Sequence, residues 1–82
     1  MSAARPRKTI DTSTYEGRFA VRLKELRLKA KLSVEELARQ MSVTDQTIYH
    51  WEQAHSFPKP GQLLLLAEAL KLKTVRLLFP EK

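Results

Sequence analysis

Apolar residues recur at helical spacing along most of the chain, in short blocks separated by polar breaks. Phe19, Leu23, Leu26 and Ala30 form the first stripe, with Arg18, Arg22, Lys24, Arg27, Lys29 and Lys31 mostly elsewhere on the wheel. Ser13 or Thr14 can cap its start. The next block opens with Ser33-Val34-Glu35-Glu36, in which the Ser hydroxyl and the Glu36 carboxylate can satisfy each other's orphan amides. Leu32 before that cap can staple onto Leu37, and the helix runs through Ala38 and Met41 to stop near Ser42-Val43.

The same signals then repeat. Thr44 caps a third helix, Asp45 lies in its positively polarised first turn, and Val43 and Ile48 form a second staple. Ile48 and Trp51 face inward; Asp45, Gln46, Tyr49, His50 and Gln53 fall on the opposite face of a helix expected to reach about Ala54. The loop from His55 to Pro60 leads into a fourth helix, with Pro60 suited to its first position and Leu63, Leu66, Ala67 and Leu70 as its stripe. A short fifth helix is expected from about Thr74 to Leu78, stopped by Pro80. Residues 1–14 show no periodicity and read as a mobile, basic N-terminal arm, leaving 15–82 as one domain.

The expected fold class is therefore all-α: five helices, with the second and third joined by a tight turn. The second helix of such a unit must hold the third at a fixed angle. The third must present donors and acceptors on a slim outer face, which is what reading the major groove requires. Ala38 sits where the two helices cross, so a larger side chain there would push them apart.

Composition narrows the function classes. With 82 residues and no cysteine, the chain has a small core and neither disulfides nor thiolate metal sites to reinforce it. Association with a second copy is an attractive source of stability. A formal charge of +6 favours polyanionic partners. The run Leu63-Leu64-Leu65-Leu66 ends at Ala67-Glu68, too short to span a bilayer, and the N-terminus lacks the apolar segment of a secretory signal, so a cytoplasmic location is the default expectation. No nucleophile–base constellation or glycine-rich phosphate loop is visible, so neither an enzyme nor a small-molecule substrate is expected. His50 and His55 lack the i, i+4 spacing of a helical metal pair; no metal site and no cofactor are expected.

Leu32-Ser33-Val34-Glu35-Glu36-Leu37-Ala38, then Val43-Thr44, Thr47-Ile48, Glu52 and Pro58, resemble the Cro and phage-repressor type (XRE-type) helix-turn-helix family, and Leu66-Ala67-Glu68-Ala69-Leu70 extends the likeness. The resemblance covers roughly residues 19 to 79. It implies a five-helix, lambda-repressor-like DNA-binding domain. It also implies a partly buried ion pair between Arg27 and Glu52, and base contacts from Asp45, Gln46 and His50, with Tyr49 beside them. Family members often dimerise through their last two helices; Leu64, Leu65, Leu77, Leu78 and Phe79 are the candidates here.

The candidate backbone contacts are Arg39, Thr44, Thr47, His55, Ser56 and Lys59, with Arg5, Arg7 and Lys8 from the arm. The expected partner is double-stranded DNA, bound by a homodimer acting as a transcriptional regulator, most simply a repressor. Gln46 can present a bidentate amide to adenine and Asp45 can accept from cytosine N4.

Several departures from the family pattern stand out. The usual phosphate-clamping Gln after the capping Ser is Val34, and glycines expected at three helix ends are replaced by Lys31, Ser42 and Ala54. From Leu32 to Pro58 the only Lys or Arg is Arg39, against Glu35, Glu36, Asp45 and Glu52, a formal −3 for the unit that should face phosphate. That charge leaves a second function class open: a protein-interaction module of the same fold, such as the antitoxin partner of a toxin.

Overall fold

The computed structural model describes residues 10–79. Among them are four α-helices, α1 (Tyr15–Lys29), α2 (Val34–Met41), α3 (Asp45–Glu52) and α4 (Pro60–Ala69), followed by a single 3-10 turn over Val75–Leu78, with no strand. α2 packs on both α3 and α4, α1 packs on α3, and the 3-10 turn closes against α1 and α4. Phe19, Leu23, Leu37, Ile48, Leu66 and Leu78 are the largest fully buried side chains, so every helical element contributes to one core.

The helix starts follow the local chemistry expected of them. Thr14 Oγ1 accepts from the Gly17 amide at 3.0 Å. Ser33 and Glu36 make the reciprocal capping box, with the Glu36 amide donating to Ser33 Oγ at 3.0 Å and the Ser33 amide to Glu36 Oε1 at 2.8 Å. On α4, Pro60 occupies the first turn and Gln62 Oε1 accepts the Lys59 amide at 2.8 Å.

The helix ends share one device. Lys31, Ser42, Ala54 and Lys71 all lie in the left-handed region, at φ of 61°, 59°, 61° and 60°. At each, the left-handed residue donates back three positions and the next residue donates back five: Leu32 to the Arg27 carbonyl, Val43 to Ala38, His55 to His50 and Leu72 to Ala67. This is the Schellman pattern, which satisfies carbonyls that the helix leaves unpaired. Leu32, Val43 and Leu72, which follow three of these residues, pack against the core and turn the chain into the next element.

Three expectations change. The fifth helix is a 3-10 turn, held by the Leu77 amide on the Thr74 carbonyl and the Phe79 amide on Arg76. The backbone is extended at Thr74 and again at Phe79, the residue before Pro80, so only one tight turn fits between them. The third helix ends at Glu52 rather than at Ala54, because Ala54 is left-handed. Leu78, a candidate for a dimer surface, is fully buried and belongs to the core.

Of the expected arm, residues 10–14 are tied to α1. Asp11 accepts from the amide and hydroxyl of Ser13 at 3.0 and 2.6 Å, and these bonds hold its carboxyl below the usual carboxylate range. Arg18 donates to the Thr12 carbonyl at 3.1 Å. Gly17 is required by this wrap, since a Cβ there would stand 1.8 Å from the Asp11 carbonyl oxygen. Arg5, Arg7 and Lys8 lie outside the described residues.

Candidate nucleic-acid interface

The turn between α2 and α3 is short because Ser42 reverses the backbone in one step, at φ 59° and ψ 41°. Its amide bonds the Arg39 carbonyl at 3.2 Å, and the Val43 amide bonds Ala38 at 3.0 Å. Ala38 is buried, as the close approach of the two helices requires. Thr44 then caps α3: its hydroxyl accepts the Thr47 amide at 3.2 Å and meets the Thr47 hydroxyl at 3.0 Å. Both threonines are thereby oriented at the helix start, Thr44 exposed and Thr47 half-buried.

The inner side of α3 is fixed by Ile48 and Trp51, both buried. Its far end is fixed by charge. Arg27 Nε donates to Glu52 Oε2 at 2.7 Å and NH2 donates to Oε1 at 3.2 Å, a two-pronged pair with both side chains under a tenth exposed. The remaining nitrogen, NH1, donates to the Leu32 carbonyl at 2.9 Å. One guanidinium thus joins α1, the approach to α2 and the end of α3. Because both charges are out of water, deleting either partner strands the other at a cost of about 3–5 kcal/mol. The pair therefore sets the angle at which α3 is presented.

With one side so constrained, Asp45, Gln46, Tyr49 and His50 all project from the other side into solvent. Tyr49 keeps 44% of its surface exposed although it is a large ring. Around this face, Arg39 at the end of α2 and His55, Ser56 and Lys59 in the loop after α3 are also exposed. The proposed base-contacting residues therefore share one helix face; of the proposed backbone-contacting residues in the described chain, Thr47 lies on α3 itself and the others on the segments flanking it. Val34 is buried beneath the start of α2, a core side chain with no reach to a phosphate.

The loop that follows is anchored from below. Phe57 packs on Phe19 with ring centres 4.6 Å apart, Phe19 on Phe79 at 5.7 Å and Phe79 on Tyr15 at 6.3 Å. This row of four rings runs from the loop beside α3 through Phe79 to Tyr15 at the start of α1, and Phe79 is engaged within its own chain. Arg22 donates through Nε and NH2 to the Leu77 carbonyl at 3.1 and 2.9 Å, holding the 3-10 turn onto α1. Leu64, Leu65 and Leu77 remain substantially exposed, at 61%, 47% and 43%.

Sequence periodicity gave no sign of the ring row, of Arg22 as a clamp on the last turn, or of the contact between His50 and His55, whose ring centres are 5.8 Å apart. The available signal for the last of these was the break expected near Ala54, which brings the following residue back over α3.

A cleft of about 580 Å³ lies between the outer face of α1 and the end of α3, lined by Ile10, Val21, Lys24, Leu28 and Gln53 among others. Its charged lining residues are Lys24, Glu25 and Glu52, the last already paired with Arg27. No group of three or more potential metal ligands occurs among the described residues, and none of their helices is long and apolar enough to cross a membrane.

Comparison with known proteins agrees with this arrangement. A helix-turn-helix domain family model matches residues 18–78. Among solved structures, the hypothetical transcription factor NHTF from Neisseria superposes with a TM-score of 0.73 at 23% identity, over 94% of this chain and 88% of that one. No curated protein matches significantly.

Proposed function

Because the chain belongs to the helix-turn-helix family of the Cro and phage-repressor type, we propose that it is a sequence-specific DNA-binding transcriptional regulator that lays α3 in the major groove. The observation that carries this reading is the arrangement of α3. Asp45, Gln46, Tyr49 and His50 share its solvent face, while Ile48, Trp51 and the Arg27–Glu52 pair lock the rest of the helix to the body. Asp45 and Gln46, in the first turn, read base edges; Tyr49 and His50 follow one turn later. Thr44, Thr47, Arg39, His55, Ser56 and Lys59 contact the backbone, joined by Arg5, Arg7 and Lys8 from the N-terminal arm.

In this proposal the exposed Leu64, Leu65 and Leu77 supply the surface for a second copy, and the dimer reads a two-fold symmetric site with half-sites about one helical turn apart. Dimerisation also offsets the formal −3 charge of each recognition unit, since two subunits double the phosphate contacts. A bound dimer represses by occupying the site.

The test is selection from a random duplex pool near physiological salt, followed by salt titration on the recovered sequence. A two-fold symmetric consensus with a steep salt slope is expected. No enrichment, with weak binding blind to sequence, would overturn the reading. It would favour the alternative that the −3 recognition unit and the buried Val34 motivate, a protein-interaction module of the antitoxin kind.

A further inference from the structure

The turn that ends α3 does something different from the three related turns. In each, the residue after the left-handed position comes back over the residue five places earlier. At α2 and α4 those pairs are Ala38 with Val43 and Ala67 with Leu72, apolar pairs set in or against the core. At α1 the pair is Arg27 with Leu32. At α3 it is His50 with His55, and both are exposed. The backbone fixes them: the His50 carbonyl accepts the His55 amide at 2.9 Å and the Ser56 amide at 3.4 Å. The two imidazole rings lie side by side with centres 5.8 Å apart and planes inclined at 50°.

The geometry points to a two-histidine chelating site for one borderline divalent transition ion, of the Zn²⁺, Ni²⁺ or Cu²⁺ class. Imidazole nitrogen is a preferred ligand of these ions. With a metal–nitrogen bond of about 2.1 Å, the ion stands about 3.2 Å from each ring centre, and a tetrahedral angle places the centres about 5.2 Å apart. The observed 5.8 Å lies about 0.6 Å outside that. Small side-chain rotations close the gap, because neither ring is packed into the core. The helical i, i+4 rule fails to anticipate this site because the pair is five residues apart and is made by the turn at Ala54, not by the helix.

Two protein ligands leave the remaining coordination positions open. The pair sits at the end of the face that carries Gln46 and Tyr49, so an incoming phosphate oxygen or guanine N7 can complete the coordination sphere. A bound ion also brings two positive charges to a segment whose formal charge is −3. This consequence for DNA rests on the proposed reading of α3; the ion site itself does not.

Zinc chloride titrated into the full chain without DNA, near neutral pH, tests the site by calorimetry together with the imidazole NMR signals. The expected result is one equivalent of zinc in the micromolar range, both histidine rings shifting together. Binding should weaken about ten-fold or more in His50→Ala and in His55→Ala alike, since either change removes the chelate. Circular dichroism of both variants should match the parent, as neither side chain supports the core. Zinc binding that leaves the ring signals unmoved, or that survives either substitution unchanged, would overturn the proposal, as would no binding at millimolar zinc. With the site established, zinc should tighten binding to duplex DNA in the parent and not in the variants. Equal DNA affinity with and without zinc would refute the coupling, whereas absence of all DNA binding would refute the reading of α3 and leave the zinc result standing.

Discussion

Replacing Ser42 with glycine removes a Cβ from a backbone held at φ 59° and ψ 41°. For an L-residue that conformation costs about 1–2 kcal/mol, because Cβ crowds the following carbonyl. Glycine escapes that cost but loses more freedom on folding, an opposing effect of about 0.4–1 kcal/mol. The net gain is about 0.5–1 kcal/mol per site, and four sites share the geometry. Lys31, Ser42 and Lys71 are exposed and Ala54 is half-buried, so little packing is lost with the side chains. The sites lie at the ends of four different helices, so the quadruple variant should be about 2–4 kcal/mol more stable. For a domain of this size that raises the melting temperature by about 10 °C or more. Urea unfolding followed by circular dichroism reads the change as a higher midpoint at constant slope. Ala30 supplies the internal control: it neighbours Lys31 but is right-handed at φ −81°, so Ala30→Gly should lose about 0.5–1 kcal/mol. If glycine at Lys31, Ser42, Ala54 and Lys71 destabilises as it does at Ala30, the account of the helix ends is wrong.

Other outcomes follow from the same contacts. Glu52→Gln should cost about 3–5 kcal/mol in urea unfolding by stranding the buried Arg27, whereas replacing both partners with apolar residues of similar volume should cost far less. Leu78→Ala should lose about 2–5 kcal/mol as a core truncation. Leu65→Ser, by contrast, should leave monomer stability within about 0.5 kcal/mol, and on the proposed dimer surface it should shift sedimentation toward the monomer. Gly17→Ala improves helix propensity yet should release residues 10–13 from α1, seen as faster amide exchange there, because the new Cβ collides with the Asp11 carbonyl.

Much of the fold could be read from short stretches whose chemistry is local. Ser33 to Glu36 and Thr44 with Asp45 announce their helices by satisfying nearby amides, and the structure realises both caps. The inward and outward faces of α3 were equally legible, since Ile48 and Trp51 alternate with polar residues at helical period. What stayed hidden depends on distant contacts or on a single dihedral. Leu77 and Leu78 are adjacent leucines with nothing local to tell them apart; only closure of the 3-10 turn against α1 and α4 buries one and exposes the other. The same turn is too short to signal its type by periodicity. Arg27 and Glu52 are 25 residues apart, and their pairing was visible only through family resemblance. His50 and His55 meet because Ala54 is left-handed, which alanine itself does not favour and only the glycine usual at that family position signalled.

The claim that the solvent face of α3 reads base sequence is tested most directly by Gln46→Ala, titrated against a selected site and against a panel with each base pair of one half-site changed in turn. The account predicts a loss of about 1–3 kcal/mol on the selected site, with discrimination relaxed at one base pair and retained at the others. An equal loss on every duplex, or no loss on any, would contradict it.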